Sequence, residues 1–258
     1  MTDTSLDFSR RSELALHGRI VAAVTAVAGP LGIELLIVGA FARDLHLTYA
    51  YGIETQRQTE DVDLGLAVPE WTAFHALEEQ LVASGAFRRS ATAAHRLRYQ
   101  DGLPVDLVPF GRVETGDRKI AWPPRGDIVM DVFGFREAHA TAHEVLLPGP
   151  APTHVVSLAA LALLKIVCWH DRHYESPRKD AHDLQLILRN YLLAGNEPRS
   201  GASSWIGHKK TRSTTSLPAR GCSVTTCGSC LTTRGSNAWA GCFRSRQIRT
   251  LPRSCQRR

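Results

Sequence analysis

The chain has 258 residues, enough for one large domain or two smaller ones with their own hydrophobic cores. Its net charge of +6 is unevenly distributed: residues 1–198 carry 19 Lys/Arg against 25 Asp/Glu, whereas residues 199–258 carry 12 Lys/Arg and no acidic residue. The longest apolar run, residues 158–168, is too short for a membrane span, and no apolar secretory signal opens the chain. We therefore expect a cytoplasmic protein that does not bind a membrane.

A helix, a buried strand and a second helix are predicted near the N-terminus. Apolar residues recur at helical spacing over 11–28, and a Gly-Pro pair ends the pattern. Residues 33–38 are an apolar run typical of a buried strand, which leads through Gly39-Ala40 into a helix over 41–47. Such a helix N-terminus suits phosphate because its backbone N–H groups bind anions. A glycine in this place more commonly serves a turn or close packing.

Two carboxylates stand two residues apart in the next predicted strand, residues 59–66. Asp61 and Asp63 leave the same face of such a strand, because side chains alternate between its two faces. An Asp-Gly hairpin turn further on predicts a strand around Asp106, which would bring a third carboxylate alongside. Like charges this close raise one another's pKa unless a cation lies among them. We therefore predict a divalent metal site, with Mg²⁺ as the expected ion and Mn²⁺ as the alternative.

Several other charged residues each have two explanations. Arg57 and Thr59 flank the start of the carboxylate strand, and Arg57 is either a solvated loop charge or a phosphate clamp. Lys165 lies in an apolar helical stretch, from which its ammonium either reaches the surface or points into a site. Asp180 opens a later helix, where offsetting the helix dipole is the simplest role. The outer face of the hairpin is expected to carry three basic residues: His95, Arg96 and Arg98.

The remaining elements complete an α+β pattern. Further helices are predicted over 69–83, 156–170 and 177–193, and short strands over 87–90, 95–99 and 103–110. The hairpin is expected to form an antiparallel edge beside the carboxylate strand. Residues 111–150 have no clear periodicity, and no assignment is made for them.

In combination these motifs resemble the nucleotidyltransferase superfamily with the polymerase-β-like catalytic fold. More narrowly, the chain resembles the AbiEii/AbiGii-type nucleotidyltransferases, many of which are toxins of toxin–antitoxin pairs. The resemblance covers about residues 15–197 and is carried by residues 36–40, 57–64, 105–107 and 158–184. The family usually has Ser or Gly where this chain has Ala40, so the backbone N–H groups would have to contact phosphate without a hydroxyl.

The resemblance implies three regions. A nucleotidyltransferase catalytic domain with a mixed sheet flanked by helices is expected over residues 1–150. A small helical domain is expected over 151–197, lacking its C-terminal end, and a disordered or out-of-frame basic tail over 198–258.

The resemblance also implies roles for individual residues. Asp61 and Asp63 would hold the metal, and Asp106 would complete the metal site or take the proton of the acceptor hydroxyl. The catalytic set is Asp61, Asp63, Asp106, Lys165 and Asp180. The set that binds nucleotide phosphates is Gly39, Ala40, Arg57, Thr59 and Lys165.

The implied reaction moves a nucleoside monophosphate from an NTP to an acceptor hydroxyl. In toxin-like relatives that acceptor can be the 3′ end of tRNA, and a cognate antitoxin protein is then the expected partner. Two alternatives stay open: a small-molecule nucleotidyltransferase of the antibiotic-modifying kind, and an inactive, truncated relative that only binds NTP.

The tail has no hydrophobic periodicity and holds five of the six cysteines. It is explained by out-of-frame translation, by a basic RNA-binding arm, or by an iron–sulfur or zinc site. The spacing that suggests a metal is carried by Cys222, Cys227, Cys230 and Cys242. We favour out-of-frame translation, then the arm, then the metal site.

Overall fold

A computed structural model describes residues 6–55, 59, 61–91, 93–100, 102–150, 152–172, 174, 178–196 and 246–247. Arg57 lies outside these residues, and so does the tail over 198–258 except for residues 246–247. The structure therefore does not address the predictions for Arg57 or for the cysteines of the tail.

The described part of the chain forms six α-helices and eleven strands. The helices are α1 (Ala15–Ala28), α2 (Gly39–Asp44), α3 (Trp71–Ala83), α4 (Phe135–Ala140), α5 (Leu158–Arg172) and α6 (Lys179–Asn190). The strands are β1 (Leu6–Asp7), β2 (Glu34–Val38), β3 (Val62–Val68), β4 (Phe87–Arg89), β5 (Arg96–Tyr99), β6 (Leu103–Gly111), β7 (Lys119–Ala121), β8 (Ile128–Asp131), β9 (His143–Leu146), β10 (Thr153–Val155) and β11 (Arg246–Gln247). A π-helical turn, Leu45–Ala50, continues α2.

Eight of these strands form one mixed sheet in the order β1-β9-β10-β2-β3-β6-β5-β4. At its centre β2 runs antiparallel to β3, and β3 runs parallel to β6. A smaller sheet has the order β11-β8-β7. The predicted α+β fold with a mixed sheet flanked by helices is therefore confirmed.

The central strands are apolar because both faces of the sheet are covered. Four of the five residues of β2 are buried, as are six of the seven in β3. Helix α1 packs its buried residues Ile20, Val21 and Val24 into the same core. The surrounding stretch Ser12–Leu31 is long and apolar enough to cross a membrane, but core helices pass that test too.

The predicted hairpin is present as β5 and β6. Its register pairs Tyr99 with Leu103, and Gly102, directly before Leu103, has a φ of +95°. Strand β6 lies inside the sheet between β3 and β5, and β4 forms the edge. The predicted antiparallel edge beside the carboxylate strand is therefore formed by β6, β5 and β4, with β4 outermost.

The sheet also takes in a strand from beyond residue 150. Strand β10 pairs in parallel with β2 and antiparallel with β9. The sheet therefore extends to Val155, five residues past the boundary expected from the sequence. Helices α5 and α6 follow and pack against each other.

Candidate active site

One row of residues crosses four neighbouring strands. The register places Val38 of β2 beside Asp63 of β3, Asp63 beside Asp106 of β6, and Asp106 beside Arg96 of β5. Residues paired across adjacent strands lie on the same face of a sheet, with Cβ atoms about 5 Å apart. The two carboxylates and the guanidinium therefore start from adjacent positions on one face.

Asp61, two residues before Asp63, adds a further carboxylate. Together they form an acidic triad, which we define as Asp61, Asp63 and Asp106. One carboxylate oxygen from each residue lies within 4.8 Å of those from the other two. All three residues are only 1 % exposed. Three buried carboxylates at this distance form an oxygen-only donor set, which fits a hard divalent cation such as Mg²⁺ or Mn²⁺.

Arg96 forms an ion pair with Asp106, the third carboxylate of the acidic triad. Its Nε donates to Oδ1 of Asp106 and its Nη2 to Oδ2, both at 2.6 Å. These hydrogen bonds raise the pKa of Arg96, despite burial, and the charges of Asp106, Asp61 and Asp63 add to the effect. The planar fork of a guanidinium matches a carboxylate in this two-bond arrangement.

The prediction that the basic residues of β5 decorate the outer face was wrong for two of the three. His95 and Arg96 are buried, and only Arg98 is exposed. Arg96 is drawn inward because Asp106 is its cross-strand partner. The Nε2 of His95 lies 3.9 Å from Oδ2 of Asp106, and burial lowers the pKa of His95.

Gly39 touches the acidic triad from the first residue of α2. It has a φ of +68°, a region that L side chains rarely adopt. A Cβ placed on it would overlap the carboxylate of Asp63. Glycine is therefore required here both by backbone conformation and by the close approach of Asp63, and Ala40 beside it is buried.

A second group of charges, which we call the ion network, lies between α2, α5 and α6. Lys165 contacts Asp183 at 2.7 Å and Asp180 at 3.3 Å. Arg43 contacts Asp183 at 2.6 Å and donates twice to Oδ1 of Asp44, at 2.7 and 2.9 Å. All five side chains are buried. The structure thus brings the predicted pair Lys165 and Asp180 together, with the Lys165 ammonium inside the protein.

The ion network also contacts two threonines that precede β3. Asp44 accepts hydrogen bonds from the hydroxyl of Thr55 at 3.0 Å and from the hydroxyl of Thr59. Thr59 was expected to bind phosphate, and in the structure its hydroxyl is engaged by Asp44. Gly39 and Arg43 lie one turn apart on α2, a rise of about 6 Å, so one short helix links the acidic triad to the ion network.

Four charged residues of this region were not predicted as site residues: Arg43, Asp44, Arg96 and Asp183. A signal was present for the first two, because an Arg-Asp pair interrupts an otherwise apolar segment between Ala40 and Leu45. Charged side chains are seldom fully buried without partners, so such a pair indicates a buried ion network. For Arg96 and Asp183 the sequence offers no comparable local signal.

Solved structures of one protein show a low similarity to this chain. They are the solution structure of the antibiotic-resistance factor ANT(2″)-Ia and the crystal structure of ANT(2″)-Ia in complex with adenylyl-2″-tobramycin. Each is 16 % identical with a TM-score of 0.38 and covers 70 % of this chain, and 90 % and 95 % respectively of the other. No curated protein matches the chain.

A family assignment comes from the sequence profile. The family described as nucleotidyl transferase AbiEii toxin, type IV toxin–antitoxin system, matches residues 20–203. The match spans strands β2 to β10, the acidic triad and the three helices of the ion network. The chain therefore belongs to the AbiEii nucleotidyltransferase toxin family, and it is a nucleotidyltransferase.

Proposed function

We propose that the protein transfers a nucleoside monophosphate from an NTP to an acceptor hydroxyl, with Mg²⁺ or Mn²⁺ held by the acidic triad. The observation that carries this proposal is the convergence of three buried carboxylates within 4.8 Å at the start of α2. Membership of a nucleotidyltransferase family supports the same reaction.

Asp61 and Asp63 would be the principal ligands of the cation, and Asp106 would be either a third ligand or the base for the acceptor hydroxyl. When bound, such a cation neutralises phosphate charge and favours in-line displacement at phosphorus. In that displacement the acceptor oxygen forms a bond to the α-phosphorus, the bond to pyrophosphate breaks, and the hydroxyl proton goes to Asp106. The backbone N–H groups of Gly39 and Ala40 would contact the triphosphate.

Lys165 and Asp180 are proposed as a catalytic pair. The ammonium of Lys165 would offset the charge that develops on pyrophosphate, a kind of contribution that is typically worth about 3–4 kcal/mol. Its contact with Asp180 at 3.3 Å supports an orienting role for that carboxylate. We assign Thr59 the role of positioning Asp44, because its hydroxyl donates a hydrogen bond to that carboxylate. Arg57 remains a proposed phosphate contact.

The 3′ end of tRNA is the acceptor that we favour. Arg88, Arg89 and Arg98 are exposed on β4 and β5, and Arg88 lies directly opposite Arg98. Like charges that face each other across strands are unfavourable, and an anionic partner relieves them. Phosphate backbones are bound chiefly through such Lys and Arg contacts. A small-molecule acceptor is the alternative.

Membership of a toxin–antitoxin family supports a cognate antitoxin as protein partner. NTPs and tRNA are cytoplasmic molecules, which supports a cytoplasmic place of action.

The experiment is incubation of the full chain with each labelled NTP, Mg²⁺ and total tRNA, followed by detection of labelled RNA. We expect label on RNA with the wild type, and none with Asp61→Ala or Asp63→Ala. The control is Asp117→Ala, which removes an exposed carboxylate on a distant turn and should retain activity. Full activity in either triad variant would refute the metal assignment. Label on a small molecule and not on RNA would favour the alternative acceptor.

A further inference from the structure

The guanidinium of Arg96 lies among the carboxylates that we assign to the metal. It is 5 % exposed and engages both oxygens of Asp106 at 2.6 Å. The pairing is built into the sheet, because β5 and β6 place the two residues directly opposite each other. Arg96 therefore supplies a positive charge at the place where a divalent cation would need Asp106.

A cation and this guanidinium compete for one carboxylate. Both oxygens of Asp106 already accept short charge-assisted hydrogen bonds, which leaves less electron density for a metal. A fixed positive charge a few ångströms away also repels an incoming cation, and the repulsion is strong in a buried site. Arg96 cannot relieve it by losing its proton, since an arginine remains charged at all ordinary pH values.

A cavity lies beside this pairing. It has a volume of about 240 Å³, and its lining includes Arg96, Glu78, Arg89 and Ser90. Glu78 offers a carboxylate at the wall of that cavity, and burial raises the pKa of Glu78.

We propose that Arg96 is an internal counter-cation of the acidic triad, which holds Asp106 before metal binds and weakens metal affinity by competing for that carboxylate. This inference rests on the proposed function, in that it takes the acidic triad as the metal site. Arg96 is a positioning residue, since it acts on the metal and the acceptor only through Asp106.

The test measures Mn²⁺ affinity of the full chain without nucleotide, from the electron paramagnetic resonance signal of free Mn²⁺. The variants are Arg96→Gln and Arg96→Lys, with Arg98→Gln as the matched control. Arg98 lies two residues along the same strand and on the same face, but it is exposed and bonds the carbonyl of Gly102. We expect Arg96→Gln to bind Mn²⁺ at least about tenfold more tightly than the wild type. Arg96→Lys should fall between them, and Arg98→Gln should match the wild type.

Thermal unfolding covers the case in which Arg96→Gln is unstable without metal. In EDTA this variant should melt below the wild type, because three carboxylates then lose a positive neighbour. In Mn²⁺ its melting temperature should rise by more than that of the wild type.

The outcomes separate the two proposals. Equal or weaker Mn²⁺ binding by Arg96→Gln, or a Mn²⁺-dependent rise no larger than that of the wild type, overturns the role of Arg96 and leaves the metal site standing. A complete lack of Mn²⁺ binding by the wild type and all variants overturns both.

Discussion

Arg43 and Asp183 are separated by 140 residues of sequence, yet Nη1 of the first lies 2.6 Å from Oδ1 of the second. Asp183 also accepts from Lys165 at 2.7 Å. Burial alone would raise the pKa of Asp183, but the charges of Lys165 and Arg43 outweigh it and hold that pKa below its ordinary value. The ion pair thus ties α2, which begins at the acidic triad, to the helical pair α5 and α6.

Breaking this ion pair should unfold the protein at much lower denaturant concentration. Arg43→Met leaves Asp183 and Asp44 buried with less compensation, and we expect a loss of about 3–5 kcal/mol in the free energy of unfolding. Urea denaturation measures it. The control is Arg11→Met, which removes the exposed pair with Glu13 and should cost no more than about 1 kcal/mol. Similar losses for the two variants would contradict a central role for the ion network.

Gly39 and Gly32 provide a matched pair for separating backbone strain from steric overlap. Their φ values are +68° and +67°, but a Cβ on Gly32 would have no atom within 4 Å, whereas one on Gly39 would overlap Asp63. Gly32→Ala should lower the free energy of unfolding only by the cost of holding an alanine in the left-handed conformation, about 1–2 kcal/mol. Gly39→Ala should cost clearly more, because Asp63 must move, and should also weaken Mn²⁺ binding. Circular dichroism melts and Mn²⁺ titration would show this, and equal effects of the two substitutions would argue against the contact.

Removing one charge from the acidic triad should not harm the metal-free protein. Asp63→Asn keeps the side-chain shape and lowers the repulsion among three carboxylates that Arg96 offsets with one positive charge. In EDTA we expect the variant to be as stable as the wild type or more stable by about 1 kcal/mol, while stabilisation by Mn²⁺ disappears. Differential scanning calorimetry in both conditions is the measurement. A large loss of stability in EDTA would mean that Asp63 is needed to hold the fold.

Stability should fall below pH 6.5 because of His46. Burial lowers the pKa of His46 from 6.5 to about 4, and its Nε2 lies 2.7 Å from the carbonyl oxygen of Val156, to which a neutral ring donates. Above pH 6.5 the ring is neutral in both states and carries no penalty. Between pH 6.5 and about 4 only the unfolded chain takes up the proton, so the free energy of unfolding drops by up to about 3 kcal/mol.

Urea denaturation at pH 7 and pH 5 tests this for the wild type and His46→Gln. The His46→Gln variant should lose less stability than the wild type over that interval, because its side chain does not titrate. Identical losses would show that other groups carry the pH dependence.

Much of the local structure follows from the sequence alone. Residues 33–38 predict a buried strand by their apolar run, and residues 59–66 predict a strand by their alternation of apolar and polar side chains. The periodicity over 11–28 predicts α1, and the structure has all three elements with shifted ends. The side-chain period of a strand also explains why two aspartates two residues apart predicted a shared face. These inferences succeed because helix and strand periodicity is a property of neighbouring residues.

The hairpin illustrates where such reasoning ends. A two-residue loop at Asp101-Gly102 would pair Arg96 with Leu107, and a shift of one residue moves a side chain to the opposite face of the sheet. The structure instead pairs Tyr99 with Leu103 and Arg96 with Asp106, and Arg96 is buried. The role of Arg96 at the acidic triad therefore depended on register, which the Asp-Gly signal did not specify.

The sequence by itself predicted that Asp61 and Asp63 share one face of a strand, with Asp106 alongside from a second strand, and that a glycine leads into a helix. The tertiary structure alone decided that Arg96 pairs with Asp106 of the acidic triad, and that Arg43 and Lys165 both pair with Asp183 in the ion network. A buried charge is stable only with a partner, and the sequence does not specify a partner up to 140 residues away until the chain has packed.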